Sequence, residues 1–269
     1  MDNEIDLGKA WDKISDSYQK RYKIGTSEVH WGPLCPLEKD LHLLGEVNKK
    51  KIIEIGSGAG QNSITLSKKG AITTALDISK EQLNYGRLIS KEEGVNINFV
   101  NGDFESIDQY FQDKTFDIAF SAYALQYCMT LDSMRNTFKQ IYNILKDNGK
   151  FVFSLDHPVR TIGHWNSKDN FILDNYFNRD LTQWDYAFPE TGISAKMQGS
   201  FKTVSDYVNA VIDSGFKLEK LLEPEPIEQD DNSKFGVNSR YGLQNKRDPY
   251  SFDHLSRIPG TLIIKAKKN

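Results

Sequence analysis

The stretch KIIEIGSGAG, residues 51–60, decides the reading of the fold. A short apolar run ends in glycines at 56, 58 and 60, and QNSITLSKKG then reads as a helix closed by Gly70. Such glycines let the backbone approach a ligand without Cβ clashes. The helix start beyond them offers free N–H donors and a positive dipole end. Position 61 is Gln61, so the dinucleotide pattern G-x-G-x-x-G is absent, and so is the Gly-Lys-Ser/Thr of a phosphate loop.

Working outward, AITTALD (71–77), NINFVNGD (96–103), FDIAFSAY (116–123) and KFVFSL (150–155) read as further strands. Ser79 with Gln82 three residues on is a capping box that opens a helix through SKEQLNYGRLISKEEG. From Leu131 to Asn148, the residues Met134, Phe138, Ile141, Tyr142 and Leu145 keep helical spacing, and Asn148-Gly149 is the expected stop. Late in the chain, a helix from Thr203 to Ser214 precedes the strands FKLEKLL and GTLIIKAKK. Strands alternating with helices predict an α/β fold, a doubly wound, mostly parallel seven-stranded sheet with helices on both faces.

Three segments stand outside this alternation. Residues 1–50 form an expected N-terminal helical cap, with Trp11, Ile14, Tyr18 and Tyr22 on one stripe. Residues 156–200 are an aromatic insertion, expected to be a lid over the substrate site, carrying Trp165 and Trp184. Residues 224–258 are polar and irregular, acidic at Glu225, Glu228, Asp230 and Asp231, then basic at Lys234, Arg240, Lys246 and Arg247. Residues 51–155 and 201–269 make the core domain.

Composition narrows the function. Among 269 residues, Lys plus Arg is 34 and Asp plus Glu is 37, a net charge of −3, which argues against a nucleic-acid partner. Apolar residues are 38 % and charged residues 26 %, as in a globular chain. The two cysteines, Cys35 and Cys128, make neither a disulfide framework nor a four-ligand zinc site, so no metal is expected. The start MDNEIDLGK lacks an apolar signal region, and no run approaches about 18 apolar residues. The expectation is a cytoplasmic protein without membrane attachment, monomeric or homodimeric.

Two carboxylates end strands beside the glycine turn. Asp77 is placed to accept the hydroxyls of a ribose. Asp103 is placed to read an adenine amino group, with Phe104 or Ile78 against the ring. Together, EIGSGAG, Asp77, GDF, FDIAFSAYALQY and LKDNGKFVFSLDHP resemble the class I S-adenosylmethionine-dependent methyltransferases, in the branch of ubiquinone/menaquinone-type and small-molecule enzymes. The resemblance spans about residues 50–155 and, more loosely, 200–269. It implies a Rossmann-like methyltransferase fold ending in an antiparallel strand pair. It implies S-adenosylmethionine as cofactor, with S-adenosylhomocysteine as product. Glu54, Gly56, Ser57, Gly58 and Gly60 would hold the methionine moiety, Asp77 the ribose, and Ile78, Asp103 and Phe104 the adenine. Ala122 and Tyr123 would line the methionine side. Many relatives have histidine where this chain has Gln126 or Tyr127.

Tyr18 is a candidate for the methionine carboxylate, with Arg21 and Arg160 as alternatives. His157 and Asp156, just past the fifth strand, are the candidate catalytic pair. The acceptor pocket is expected between Trp31, Tyr123, Tyr127, Trp165 and Trp184. The expected reaction methylates O or N of a small metabolite or natural product. A short-peptide amine is an alternative acceptor, which Asp156 would attract. An NAD-type oxidoreductase and a non-catalytic cofactor-binding module are the competing functions.

Overall fold

The structure, a computed structural model, describes residues 5–227 and 251–269. The charged stretch from Glu228 to Arg247 lies outside the described residues. The helices are α1 (Leu7–Tyr22), α2 (Glu38–Leu41), α3 (Gln61–Lys68), α4 (Lys80–Glu92), α5 (Leu131–Ile144), α6 (Pro158–Ile162), α7 (Val204–Asp213) and α8 (Phe252–Leu255). The strands are β1 (Lys51–Ile55), β2 (Ile72–Asp77), β3 (Asn98–Asn101), β4 (Phe116–Ala122), β5 (Leu145–Asp156), β6 (Gly163–Trp165), β7 (Phe171–Leu173), β8 (Leu181–Phe188), β9 (Ile193–Ser200), β10 (Phe216–Leu222) and β11 (Thr261–Lys268).

Seven strands form one sheet in the order β10-β11-β5-β4-β1-β2-β3. β1 to β5 pair in parallel, while β11 runs antiparallel to both β5 and β10. The strand order reverses between β1 and β4, where an open α/β sheet forms its ligand crevice. Alternation along β5 feeds two cores. Phe151 and Phe153 pack with Phe138, Ile141, Tyr207 and Phe216 on one face. Val152 packs with Ile52, Phe120 and Ile263 on the other.

Local signals set most boundaries. Ser79 Oγ accepts from Gln82 N–H at 3.1 Å and starts α4. Thr203 and Asp206 form a capping box that starts α7. Helix α5 stops at Ile144, four residues before the expected Asn148. There the carbonyls of Asn143 and Ile144 accept from Lys114 and Thr115, and buried Leu145 already pairs with Phe116 in the sheet. Cross-strand bonds thus end the helix before the Asn-Gly turn.

The insertion folds as two antiparallel hairpins, β6–β7 and β8–β9. The second packs on α1: Ala10, Ile14 and Tyr22 share a buried cluster with Phe188, Ala195 and Met197. Trp31 is a correction. It is fully buried in the core on the Val152 face, edge-on to Phe120 at 6.2 Å, and its Nε1 donates to Glu38 at 3.1 Å. A large apolar ring with a buried hydrogen-bond partner is satisfied there, and it does not face a ligand.

Candidate functional site

A cavity of about 590 Å³ opens at the carboxyl edge of β1, β2, β4 and β5, within the range of small-ligand sites. Its floor comes from Glu54, Gly56, Ser57, Gly58, Asp77, Ile78, Asp103, Phe104 and Ala122. Its roof comes from α1 and the β8–β9 hairpin, through Trp11, Tyr18, Trp184 and Tyr186.

The glycine turn has the geometry its sequence requires. Gly56, at φ +64°, lies so close to the next loop that a Cβ would stand 2.2 Å from Ala124 Cβ. Gly60, at φ +69°, precedes α3 and does not line the cavity; a Cβ there would press on Phe99 at 3.2 Å. Its role is to let the turn pack on the sheet. Asp77 closes the turn: Oδ2 accepts from Gly58 N–H at 2.7 Å and Oδ1 from Ser79 N–H at 2.8 Å. Glu54 accepts from the backbone N–H and hydroxyl of Ser63 at 2.9 and 2.6 Å. Burial pushes the Glu54 carboxyl up to about 7 and that of Asp77 up to about 6. Asp103 accepts from Glu105 N–H at 2.8 Å and starts a short 3-10 turn that places Phe104 on the cavity wall.

Helix α1 is tied to this cradle by polar contacts. Gln61 donates to Gln19 at 2.8 Å, and Gln19 donates to Gln82 at 2.6 Å, so an amide chain links α3, α1 and α4 beside the turn. Asp12 accepts from Ser79 Oγ at 2.6 Å and Glu81 N–H at 3.0 Å. Tyr18 lines the cavity as a neutral hydroxyl, its ionisation opposed mainly by burial. Arg21 instead reaches Glu190 at 3.3 Å, outside the cavity. Arg160 does not line it either and pairs with Asp156.

The far side of the cavity is aromatic. Tyr127 and Trp184 stack with centroids 6.2 Å apart, and Trp11 stands edge-on to Tyr127 at 5.5 Å. Tyr123 follows β4 at φ +60°, a rare conformation for a large side chain. Its ring packs over Gly32, and its hydroxyl meets Thr261 Oγ1 at 2.5 Å.

Two expected site residues are corrections. His157 is buried but does not line the cavity. Its Nδ1 accepts from Val159 N–H at 3.2 Å, which starts α6, and its Nε2 meets Glu223 at 2.8 Å. Both ring nitrogens are thus engaged away from the cavity. Trp165 stacks on His254 at 4.1 Å, and the Arg257 guanidinium lies over its ring at 4.4 Å, away from the cavity. Asp156 does line the cavity, with its charge answered by Arg160.

Sequence reasoning missed several lining residues. Gln19 was unmarked, Gln82 was read only as part of a helix cap, and Gln61 only as the place of a missing glycine. His30 lines the cavity, and burial pushes its pKa down to about 4, so the imidazole is neutral near pH 7. Ser200 and Lys202 line it too, in a strand end and loop with no local motif.

Residues 52–149 match a family described as a methyltransferase domain. That stretch of the chain is similar to a methyltransferase domain. The chain is 26 % identical over 159 residues to an uncharacterized methyltransferase, YbaJ, of Bacillus subtilis. That match covers 59 % of this chain and spans 60 % of the relative's length. The fold is similar to an S-adenosylmethionine-dependent methyltransferase from Mesorhizobium loti, with a TM-score of 0.62 and 21 % identity, over 85 % of this chain and 95 % of that one. It is also similar to the [4+2]-cyclase SpnF, with a TM-score of 0.59 and 15 % identity, over 97 % and 95 % of the two chains. The fold therefore hosts more than one chemistry, and function is argued from the site. No described helix is long and apolar enough to cross a membrane.

Proposed function

We propose that this chain transfers a methyl group from S-adenosylmethionine to O or N of a small molecule with a flat apolar body. The observation that carries the reading is one continuous cavity that joins the glycine cradle to an aromatic wall. The residues present fit the cofactor. Asp77 keeps lone pairs for the ribose hydroxyls beyond its two backbone bonds, since an ionised carboxylate has about four acceptor sites. Phe104 and Ile78 offer apolar faces to the adenine, and Glu54 and Tyr18 offer polar atoms to the methionine end.

S-adenosylmethionine supplies an activated methyl group whose leaving group is a neutral thioether. The chain's own task is alignment and exclusion of water. Trp11, Tyr18, Tyr127 and Trp184 close the site, and their faces favour the positive charge near the reacting centre. Neither His157, spent on the α6 cap, nor His30, neutral and too weakly basic, serves as general base. The reaction therefore favours an acceptor that needs little deprotonation or arrives already ionised.

Calorimetry with S-adenosylhomocysteine and with NAD tests the cofactor. S-adenosylhomocysteine is expected to bind and NAD not to, because Gln61 stands where a dinucleotide turn needs its third glycine. Turnover against a library of small phenols, acids and amines tests the chemistry. Tight NAD binding, or S-adenosylhomocysteine binding without any methyl transfer, defeats the reading.

A further inference from the structure

We propose that Lys202 and Ser200 form the polar end of the acceptor site and hold a carboxylate of the acceptor, while Gln126 takes the hydrogen of a neighbouring hydroxyl or amine. The inference rests on the methyltransferase reading and adds the acceptor's chemical class.

Lys202 is only 3 % exposed, yet it lines the cavity. Its Nζ donates to the carbonyl of Cys128 and, at 2.8 Å, to that of Ser200. An ammonium has three donors, so one N–H remains. Among the described residues no carboxylate pairs with it. The nearby acids are engaged elsewhere. Glu105 accepts from Met129 N–H at 2.6 Å and Ser133 Oγ at 2.9 Å, and Asp206 holds Arg179 at 2.9 Å. A desolvated cation without a direct ion pair is costly, and burial lowers the proton affinity of Lys202, offset only in part by the charges of Glu105 and Asp206 nearby. An anion arriving in the cavity would relieve that cost.

Two further polar groups face the same problem. Ser200 is 7 % exposed and lines the cavity, and its Oγ has no hydrogen-bond partner among the described residues. Gln126 also lines the cavity, and its buried Oε1 lacks a donor among the described residues. The Lys202 N–H and the Ser200 hydroxyl are two donors, which suit the two oxygens of a carboxylate. Gln126 Oε1 is an acceptor and suits an O–H or N–H on the same molecule. The stacked Tyr127 and Trp184 supply the wall for its flat part. A cationic acceptor is less favoured, because Asp156 is already paired with Arg160.

The test uses protein saturated with S-adenosylhomocysteine and two matched probe pairs: para-hydroxybenzoate with para-hydroxybenzamide, and indoleacetate with indoleacetamide. Calorimetry is expected to show at least one carboxylate binding roughly tenfold or more tightly than its amide. In Lys202→Met that preference should vanish while S-adenosylhomocysteine binds as before. Lys202→Arg should keep part of it. Ser200→Ala should reduce it several-fold and covers the case in which Lys202→Met does not fold. If no carboxylate outbinds its amide on the wild-type protein, or if the preference survives in Lys202→Met, the proposal is wrong. Failure of S-adenosylhomocysteine to bind would overturn both this inference and the methyltransferase reading; its binding without carboxylate preference overturns this inference alone.

Discussion

Replacing Asp77 with asparagine keeps the side chain's shape but removes a charge and an acceptor oxygen from the end of β2. In the wild-type protein Oδ2 and Oδ1 hold Gly58 N–H and Ser79 N–H at 2.7 and 2.8 Å. The asparagine oxygen can serve one of them, and its NH2 must then face the other. Hydrogen bonds to a charged group contribute roughly 1.5–3 kcal/mol each. Losing one such bond to a ribose hydroxyl should weaken S-adenosylhomocysteine binding roughly ten- to a hundredfold. The pH dependence sharpens the test. Burial pushes Asp77 up to about 6 and Glu54 up to about 7, and both are needed ionised. Protonation of each should weaken binding by up to about tenfold per pH unit below its pKa. Wild-type affinity should therefore fall in two steps as pH drops through about 7 and then about 6. In Asp77→Asn the lower step should disappear and the Glu54 step remain. The ligand-free protein should move the opposite way. These acids hold protons more tightly folded than unfolded, where they titrate near 3.8 and 4.5, so their contribution to stability falls as pH rises from about 4 to about 7. Calorimetry across this range, with thermal melts of the free protein, makes both measurements. Wild-type affinity that stays flat from pH 8 to about pH 5, or Asp77→Asn binding at wild-type strength, would refute the reasoning.

Trp184→Ala should raise the acceptor KM or lower kcat several-fold while S-adenosylhomocysteine affinity changes little, because Trp184 stacks on Tyr127 at the acceptor end; unchanged steady-state kinetics would reduce the hairpin to a cover. Deleting residues 1–22 should cost cofactor affinity at least tenfold, since Gln19 and Asp12 brace α3 and α4 beside the turn. It should also expose Phe188 and Met197, so the melting temperature drops too; a truncated protein that binds normally contradicts the roof assignment. His157→Ala should leave kcat near wild type but destabilise the fold by about 0.5–2 kcal/mol through loss of the α6 cap, measured by denaturant titration. A large drop in kcat with unchanged stability would return His157 to the chemistry.

The sheet and the glycine turn at its carboxyl edge were legible in the residue order because their signals are local. A strand's period, a capping pair such as Ser79 and Gln82, and a glycine turn between strand and helix each act within a few residues. Asp77 and Asp103 inherit their places from the strands that carry them, since the carboxyl ends of parallel strands share one edge. The aromatic side of the cavity was another matter. A tryptophan buries its ring equally well in a core or a pocket wall, so nothing local separates Trp31, which sits against Phe120, from Trp184, which faces the cavity. His157 and Asp156 are neighbours at the end of β5, but the turn into α6 sends one ring to Val159 N–H and Glu223 and leaves the other side chain on the cavity. Lys202 acquires its character only from where β9 returns to the core, which brings its ammonium to the carbonyl of Cys128, far away in the chain. Local backbone preferences and strand edges are written in short segments; the direction of a side chain beyond the strand's end, and the company a buried charge keeps, depend on contacts between residues remote in sequence.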